Sequence, residues 1–435
     1  MSVPRIVVIG GGAAGIVAAG RAAQRGARVV VLEKGPKLAR KLRIAGKGRG
    51  NITNTADLSD FIEAFAPNGK FLHGAFSRFF RDDLLGLLHE MGVETKVERG
   101  GRVFPASDRA SDVADALERW MEQRGASVMF NATVKSLDIA PPDDAHQRPR
   151  VVGVNLYGGR MDAGAVVVAT GGASYPKTGS TGDGYVMARK AGHTIIPPKP
   201  ALSAIITRED WVTDLQGLSL KNVEATLMVQ EPKTEKPRKV ASEFGEMLFT
   251  HTGVSGPIIL TLSRRAGKLL GSGEVIISID LKPALTPEQL HARLIRDFRQ
   301  TKYFGNYLRD LLPRLLAEAF PGLVGIDPTK PVNSVTAAER ARLVDLLKDF
   351  RVTAADLDPL DEAIVTQGGV SITEINPRMM MSKLVDGLFF AGEVIDIDSE
   401  TGGFNLQAAF STGYVAGESA AEYLGGSKLK VESGK

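Results

Sequence analysis

The sequence predicts an α/β protein: a two-part Rossmann-like dinucleotide-binding domain interrupted by a strand-rich insert that carries a helical subdomain. Three observations predict it. The chain opens on strand, glycine turn, helix and strand, "RIVVIGGGAAGIVAAGRAAQRGARVVVLE", with the periodicity of a βαβ unit. It closes on strand, glycine loop and long helix, "GLFFAGEVIDIDSETGGFNLQAAFSTGYVAGESAAEYL". Between them the pattern changes at the proline-rich "TIIPPKPALSAI", where a domain boundary is expected.

The elements follow in order. "RIVVIG" reads as a buried strand, "AAGIVAAGRAAQRG" as a helix of small residues closed by Gly26, and "ARVVVLE" as a second buried strand. "DDLLGLLHEMG" and "SDVADALERWMEQRG" have helical apolar spacing and a terminal glycine, whereas "VETKVER", "ASVMFNATVKSLDIA" and "RVVGVNLYGG" read as strands. "PPDDAHQRPR" is then a polar hairpin tip, and "AVVVATGGASYPKTGSTGDGYVMARKAGH" a third strand, glycine loop and helix. "NVEATLMVQ" and "EVIISIDL" are strands of the insert; "TPEQLHARLIRDF", "NYLRDLLPRLLAEAF" and "AERARLVDLLKDF" are helical. The expected domains are 1–195, a β-rich insert 196–283, a helical insert 284–350, and a return at 351–435 ending in a short disordered tail, "GGSKLKVESGK".

Gly10, Gly12 and Gly15 have the G-x-G-x-x-G spacing between a strand and a helix. The first permits the tight turn, the second lets backbone approach a pyrophosphate, and the third lets helix and strand pack closely. The helix N-terminus adds free N–H groups for phosphate. Glu33, at the end of the second strand, is placed to hydrogen-bond a ribose diol and disfavours a 2′-phosphate there. Two more loops end strands: Thr170, Gly171 and Gly172, and later Gly392 and Glu393, followed by Gly402 and Gly403 at the start of the last helix. NAD alone leaves the last loop unexplained, whereas FAD spanning all three explains the pattern. A helix N-terminus facing the flavin pyrimidine edge stabilises the negative charge of reduced flavin.

Composition narrows the class. The 435 residues are 43% apolar and 24% charged, with a net charge of +4, which suits a folded protein of two or three domains and permits anionic partners without requiring one. The chain has no cysteine, which excludes disulfides, thiolate metal sites and thiol redox relays. No cationic stretch leads into an apolar signal, and no apolar run nears the roughly 18 residues that span a bilayer. The expectation is a cytoplasmic protein with no membrane partner. His73, His89, His146, His193 and His291 lack metal-ligand spacing and read as structural or solvated, and no metal is expected.

These motifs resemble the BaiN/YhiN-type flavoproteins, often labelled aminoacetone-oxidase-like. The resemblance rests on "GGGAAG", "ARKLRIAGKGRGNITN", "ATGGASYPKTGSTGDGY", "LFTHTGVSGPIIL", "TQGGVSITEINPRMM" and "LFFAGEVIDIDSETGGFNLQAAFSTGY". It implies a two-part FAD domain with a β-barrel-like insert and a helical insert. It assigns Ala14, Glu33, Lys41, Asn51, Val134, Glu393, Asn405 and Leu406 to FAD. Ala14 would lie in the phosphate turn, Lys41 would neutralise phosphate, and Asn51 would bond the flavin side. Val134 would meet adenine by backbone, Glu393 the ribityl chain, and the N–H groups of Asn405 and Leu406 the pyrimidine oxygens. Where relatives commonly read "GRCN", this chain reads "GRGN", with Gly50 in the thiol position.

The chain must supply a proton and substrate orientation to such a cofactor. His251, Tyr175 and Lys177 are the candidate catalytic residues; Thr366 and Gln367 are expected to approach flavin by backbone. The resemblance implies an FAD-dependent oxidoreductase, an NAD(P)H-driven reductase of an activated C=C bond, with NAD(P)H a transient co-substrate because one Rossmann fingerprint is present. The substrate would be a conjugated enone or an rRNA uridine, and the mildly basic charge tilts toward RNA. The alternatives are a flavin oxidase of a small amine or hydroxy compound, and a flavin-containing RNA-binding factor that uses the basic residues of the helical insert.

Overall fold

A computed structural model of the chain describes residues 5–144, 146–232, 234 and 236–432, with backbone alone for 426–432. Its contacts divide it into two units, Met1–Pro200 with Leu360–Lys435, and Ala201–Pro359.

In the first unit, among the described residues, a seven-stranded sheet runs in the order Ile375–Asn376, Met381–Ser382, Leu388–Phe390, Ala165–Val168, Arg5–Ile9, Arg28–Leu32, Ser127–Met129. The strands from Leu388–Phe390 to Ser127–Met129 are all parallel. They are near-continuous runs of Val, Ile, Leu and Phe because both faces are covered, and Ile6, Val7, Val8, Val166, Val167 and Val168 are fully buried. The helix Ala13–Gln24 connects the first two strands. The C-terminal helix Phe404–Glu432 lies against it. At Gly413 and Gly417 the two backbones approach so closely that a Cβ would stand 2.3 Å from the Ala14 carbonyl oxygen and 2.1 Å from that of Ala18. Among the described residues two small antiparallel sheets, Thr53–Asn54, Arg102–Pro105 and Thr95–Glu98, and Val134–Ala140, Arg150–Leu156 and Gly159–Asp162, accompany the seven-stranded one, with a two-stranded ribbon of Ile195–Ala201 and Val365–Val370.

The second unit is a closed six-stranded barrel, Ile205–Thr207, Gly253–Ser255, Arg238–Phe249, Ser219–Gln230, Glu274–Asp280 and Phe350–Leu357. The helices Pro287–Asp297, Phe304–Leu311, Arg314–Val324 and Ala337–Lys348 lie in sequence between its last two strands. Pro313 divides "NYLRDLLPRLLAEAF" into two helices, with the preceding Leu312 extended at φ −129°, ψ 155°. Barrel and helices share one core in which Ile277, Leu290, Phe320, Leu343 and Phe350 are buried together.

Three boundaries differ from the pattern-based expectation. The opening part of the first unit runs to Pro200 and not to 195. The first unit resumes at Leu360 and not at 351: Phe350–Leu357 pairs with both Glu274–Asp280 and Ile205–Thr207 and closes the barrel. The C-terminal helix continues through Glu432, into the stretch read as a disordered tail, whose last three residues lie outside the described residues.

Candidate cofactor-binding site

The strand Arg5–Ile9 delivers the chain into Gly10, whose φ of +97° turns it sharply. The Gly10 N–H bonds the Leu32 carbonyl at 2.9 Å, which fixes the turn to the neighbouring strand. The helix starts after Gly12, and its first intrahelical bond runs from Ile16 N–H to Gly12 O at 3.0 Å. The N–H groups of Ala13, Ala14 and Gly15 therefore precede the ladder and are available to an anion. A Cβ at Gly12 would meet nothing within 4 Å, which leaves room for a pyrophosphate.

Glu33 borders this turn. One carboxylate oxygen accepts from Gly11 N–H at 2.9 Å and the other from Gly35 N–H at 2.7 Å, and each keeps a lone pair for a ribose hydroxyl. Ala132 N–H bonds the Glu33 carbonyl at 2.9 Å. This brings the start of the strand Val134–Ala140, with Val134 buried, beside the same turn. Glu33→Arg is expected to leave the purified protein with less than about a tenth of its FAD, because two backbone donors lose a charged acceptor. The ratio of flavin to protein absorbance measures it; unchanged occupancy would place the ribose elsewhere.

The three glycine loops converge. A Cβ at Gly10 would lie 2.6 Å from the Ala169 carbonyl oxygen and 3.0 Å from Thr170 Cα, so Thr170 and Gly171 leave the sheet beside the phosphate turn. One at Gly392 would lie 2.8 Å from Ala14 Cβ, and Gly392 N–H bonds Thr412 Oγ1 at 3.0 Å. Lys41 joins the second and third loops: its Nζ lies 2.8 Å from Glu393 Oε2 and donates to Ser174 Oγ at 2.8 Å. Glu393 Oε1 also accepts from Thr366 N–H at 2.8 Å and from the Ser174 hydroxyl at 3.2 Å. Thr366 Oγ1 in turn accepts from Ala173 N–H at 2.9 Å. The Tyr185 hydroxyl donates to the Glu393 carbonyl at 3.4 Å. Burial, and then the Glu393 charge, push this phenol far above its ordinary value, so it stays a neutral donor.

The cations of "ARKLRIAGKGRGNITN" have partners within the chain. Arg40 donates to the Lys177 carbonyl, Lys41 pairs with Glu393, Arg43 with Asp115 at 2.7 Å and Glu118 at 2.6 Å, and Arg49 with Glu98 and with Asp108 at 2.6 Å. Among the described residues Lys47, which is exposed, has no such partner. The Lys41 charge is thus opposed by a carboxylate, where the resemblance implied phosphate. Gly50 has φ +81°, and a Cβ would stand 3.0 Å from Ala110 Cα. The backbone there suits glycine.

The same segment reaches the second helix N-terminus. With its amide turned so that both ends find partners, Asn51 accepts from Gly403 N–H at 3.1 Å and donates to Thr53 O at 3.2 Å. Asn54 Nδ2 donates to Gly402 O at 3.0 Å. The Asn405 side chain holds Ser399, accepting from its N–H at 2.9 Å and donating to its carbonyl at 3.0 Å. Because the first bond of this helix is Gln407 N–H to Gly403 O at 3.1 Å, the N–H groups of Phe404, Asn405 and Leu406 precede it. Two helix ends with N–H groups that precede their ladders, Glu33 beside the first of them in the role of ribose acceptor, and a turn with space at Gly12 fit FAD.

Among the described residues the side chains of the proton-donor candidates make no hydrogen bond to this network. Tyr175 stands at φ +51° on an exposed loop, with Lys177 exposed two residues on. His251 belongs to the second unit, exposed at the turn between Arg238–Phe249 and Gly253–Ser255. Among the described residues none of the three side chains has a hydrogen-bond partner. The sequence reading missed Ser174 and Tyr185; Ser174 lay inside the quoted glycine loop, and its short polar side chain was the available signal. His193 is structural: it is buried, 2.8 Å from Ser382 Oγ and 3.2 Å from Glu374, and burial pushes its imidazole below the ordinary value. Among the described residues no cluster of His, Asp or Glu could hold a metal, and no helix is long and apolar enough to cross a membrane.

Comparison with known proteins agrees with this geometry. The family model described as "HI0933-like protein Rossmann domain" matches residues 4–419. A protein named 3-dehydro-bile acid delta(4,6)-reductase from Clostridium scindens is 30% identical over 96% of this chain and 99% of its own. Proteins named ribosomal RNA dihydrouridine synthase from Haemophilus influenzae and Escherichia coli are each 28% identical, over 94% and 95% of this chain and 96% of their own. The chain therefore belongs to the HI0933-like family and is an FAD-dependent oxidoreductase built on a Rossmann-type domain with a closed barrel insert.

Proposed function

We propose that this enzyme uses NAD(P)H to reduce a C=C bond conjugated to a carbonyl. The observation that carries the reading is the second helix N-terminus, where the N–H groups of Phe404, Asn405 and Leu406 follow the Asn51-bound Gly403. Its dipole favours an electron-rich cofactor edge. The relatives support the reaction type, since a delta(4,6)-reductase and a dihydrouridine synthase both saturate a C=C bond next to a carbonyl. Bound FAD supplies the hydride for the alkene carbon.

The chain's own residues do the rest. Ala13, Ala14 and Gly15 hold the pyrophosphate by backbone, Glu33 and the Val134 segment hold the adenosine half, and Asn405 and Leu406 hold the flavin oxygens by N–H. Lys41 and Glu393 neutralise one another and fix the loops around the ribityl region. Tyr175, Lys177 or His251 delivers the proton to the neighbouring carbon. Dependence on NAD(P)H suits the cytoplasm, where that reductant is regenerated.

A small enone is the favoured substrate. In the helical insert, Arg314 lies 3.0 Å from Glu318, Lys330 2.8 Å from Glu339, Lys348 2.5 Å from Asp280, and Lys302 pairs with Asp310. These pairs neutralise part of the positive charge that an RNA backbone would need. An rRNA uridine is the second reading, favoured by the Haemophilus and Escherichia relatives.

Anaerobic mixing with NADPH or NADH is expected to bleach the flavin, and a 3-keto-Δ4 steroid is then expected to restore its colour. Tyr175→Phe, Lys177→Met or His251→Gln, whichever removes the donor, should slow only the second step. No bleaching with either nucleotide defeats the NAD(P)H reading. Recolouring by rRNA alone, with dihydrouridine formed, selects the second substrate.

A further inference from the structure

The strands Ala165–Val168, Arg5–Ile9 and Arg28–Leu32 lie side by side in that order. The loops that leave the outer two therefore flank the glycine turn that leaves the middle one. They also meet each other across it. Lys34, from the loop after Arg28–Leu32, places its Nζ 2.6 Å from Asp183 Oδ2 and donates to Thr181 Oγ1. Arg40, from the same loop, donates to the Lys177 carbonyl. Thr181, Asp183 and Lys177 all belong to the loop and helix start after Ala165–Val168.

Both loops are anchored at their bases. Ala39 N–H bonds Gly11 O at 2.8 Å, Leu38 is buried against Gly11, and Glu33 holds Gly11 and Gly35. On the other side Ala169 N–H bonds Ile9 O at 2.9 Å, and Gly182 N–H bonds Gly172 O at 3.1 Å. The outer ends, by contrast, are joined by side chains that water reaches: the Lys34 and Asp183 side chains are 27% and 41% exposed. Contacts of that kind open readily and weaken with salt, whereas the buried bases stay fixed.

We propose that Lys34 and Arg40 form a latch with Asp183 and the Lys177 carbonyl that closes over the bound dinucleotide and sets how fast FAD leaves. The inference rests on FAD occupying the Gly10–Gly15 turn. The crevice at the carboxyl ends of parallel strands is where such a ligand lies, and a bridge between the flanking loops must part before it can depart. The latch residues need make no contact with FAD: Lys34 acts through Asp183.

That distinction gives the test. Holo-protein is diluted and FAD release followed by the rise in free flavin fluorescence. Lys34→Gln and Asp183→Asn remove opposite charges, yet each is expected to speed release about threefold. Lys34→Gln with Arg40→Gln should reach about tenfold, and the reversed pair Lys34→Asp with Asp183→Lys should restore slow release. Added salt should speed release from the unaltered protein more than from Lys34→Gln. If Lys34 instead holds a phosphate directly, Asp183→Asn will slow release or leave it unchanged, and the latch is overturned. Unchanged release in every variant, with full flavin content, overturns the latch but leaves the FAD site intact. An unaltered protein that takes up no FAD overturns both.

Discussion

Glu418→Ala is expected to lower stability by about 3 kcal/mol, read as a fall in the thermal unfolding midpoint. Glu418 is 7% exposed on the C-terminal helix, and its two carboxylate oxygens take the guanidinium groups of Arg21 and Arg78. Arg21 also lies over the Tyr414 ring, 4.5 Å from its centroid, and Tyr414 stacks on Phe79 at 4.6 Å. One carboxylate thus ties the C-terminal helix to the glycine-turn helix and to the Arg78–Phe79 segment. Alanine leaves two guanidinium groups facing each other with no counter-charge, and removing one partner of a buried pair is the costly case. Replacing Arg21, Arg78 and Glu418 together by apolar side chains should recover most of the loss.

The pH dependence has a definite sign. Burial alone would raise the Glu418 carboxyl, but the hydrogen bonds and charges of Arg21 and Arg78 hold it below its ordinary value of 4.5. A depressed folded pKa adds stability that is complete above the ordinary value and is lost as pH falls through the folded one. Glu418→Gln should therefore flatten the acid limb of the stability profile, and an unchanged limb would show that other carboxylates govern it.

Gly15→Ala is expected to reduce FAD affinity more than about a hundredfold and to destabilise the apoprotein by about 1–3 kcal/mol. The new Cβ would stand 1.9 Å from the Gly10 carbonyl oxygen. That oxygen cannot yield, because Gly10 is fixed to Leu32 by its N–H and packed against Ala169. The helix must move outward, and its free N–H groups move off the phosphate. Gly12→Ala separates the two effects: its Cβ meets no protein atom within 4 Å and its φ of −81° suits alanine. It should leave the unfolding midpoint of the apoprotein unchanged and still weaken FAD, because a methyl group enters the pyrophosphate's space. Full FAD retention in Gly12→Ala would mean that no phosphate approaches that backbone.

What the sequence made legible was local. Gly10, Gly12, Gly15 and Glu33 could be read because the G-x-G-x-x-G turn, the helix start and the acid all fall within one βαβ unit. The free N–H groups before Gln407 could be read because glycines preceded a helical pattern. What escaped was long-range pairing. Nothing near Lys41 announces Glu393, and nothing near Arg43 or Arg49 announces the acids they meet, so Lys41 read as a partner for phosphate. Ser174 and Thr366 matter through the carboxylate they share, which only the folded chain brings to them. The boundary at Leu360 was hidden because Phe350–Leu357 alternates like any strand, and its partners, not its composition, assign it to the barrel.

The barrel unit begins and ends at one place. Asp358 N–H bonds the Ala204 carbonyl at 3.0 Å, and the Ser203 hydroxyl donates to Asp358 O at 3.2 Å. With its entry and exit strands knotted together and a core of its own, the stretch can be acquired, lost or exchanged during descent as a cassette. The segments that flank it in the chain, Ile195–Ala201 and Val365–Val370, are themselves paired strands, so its two points of attachment are neighbours.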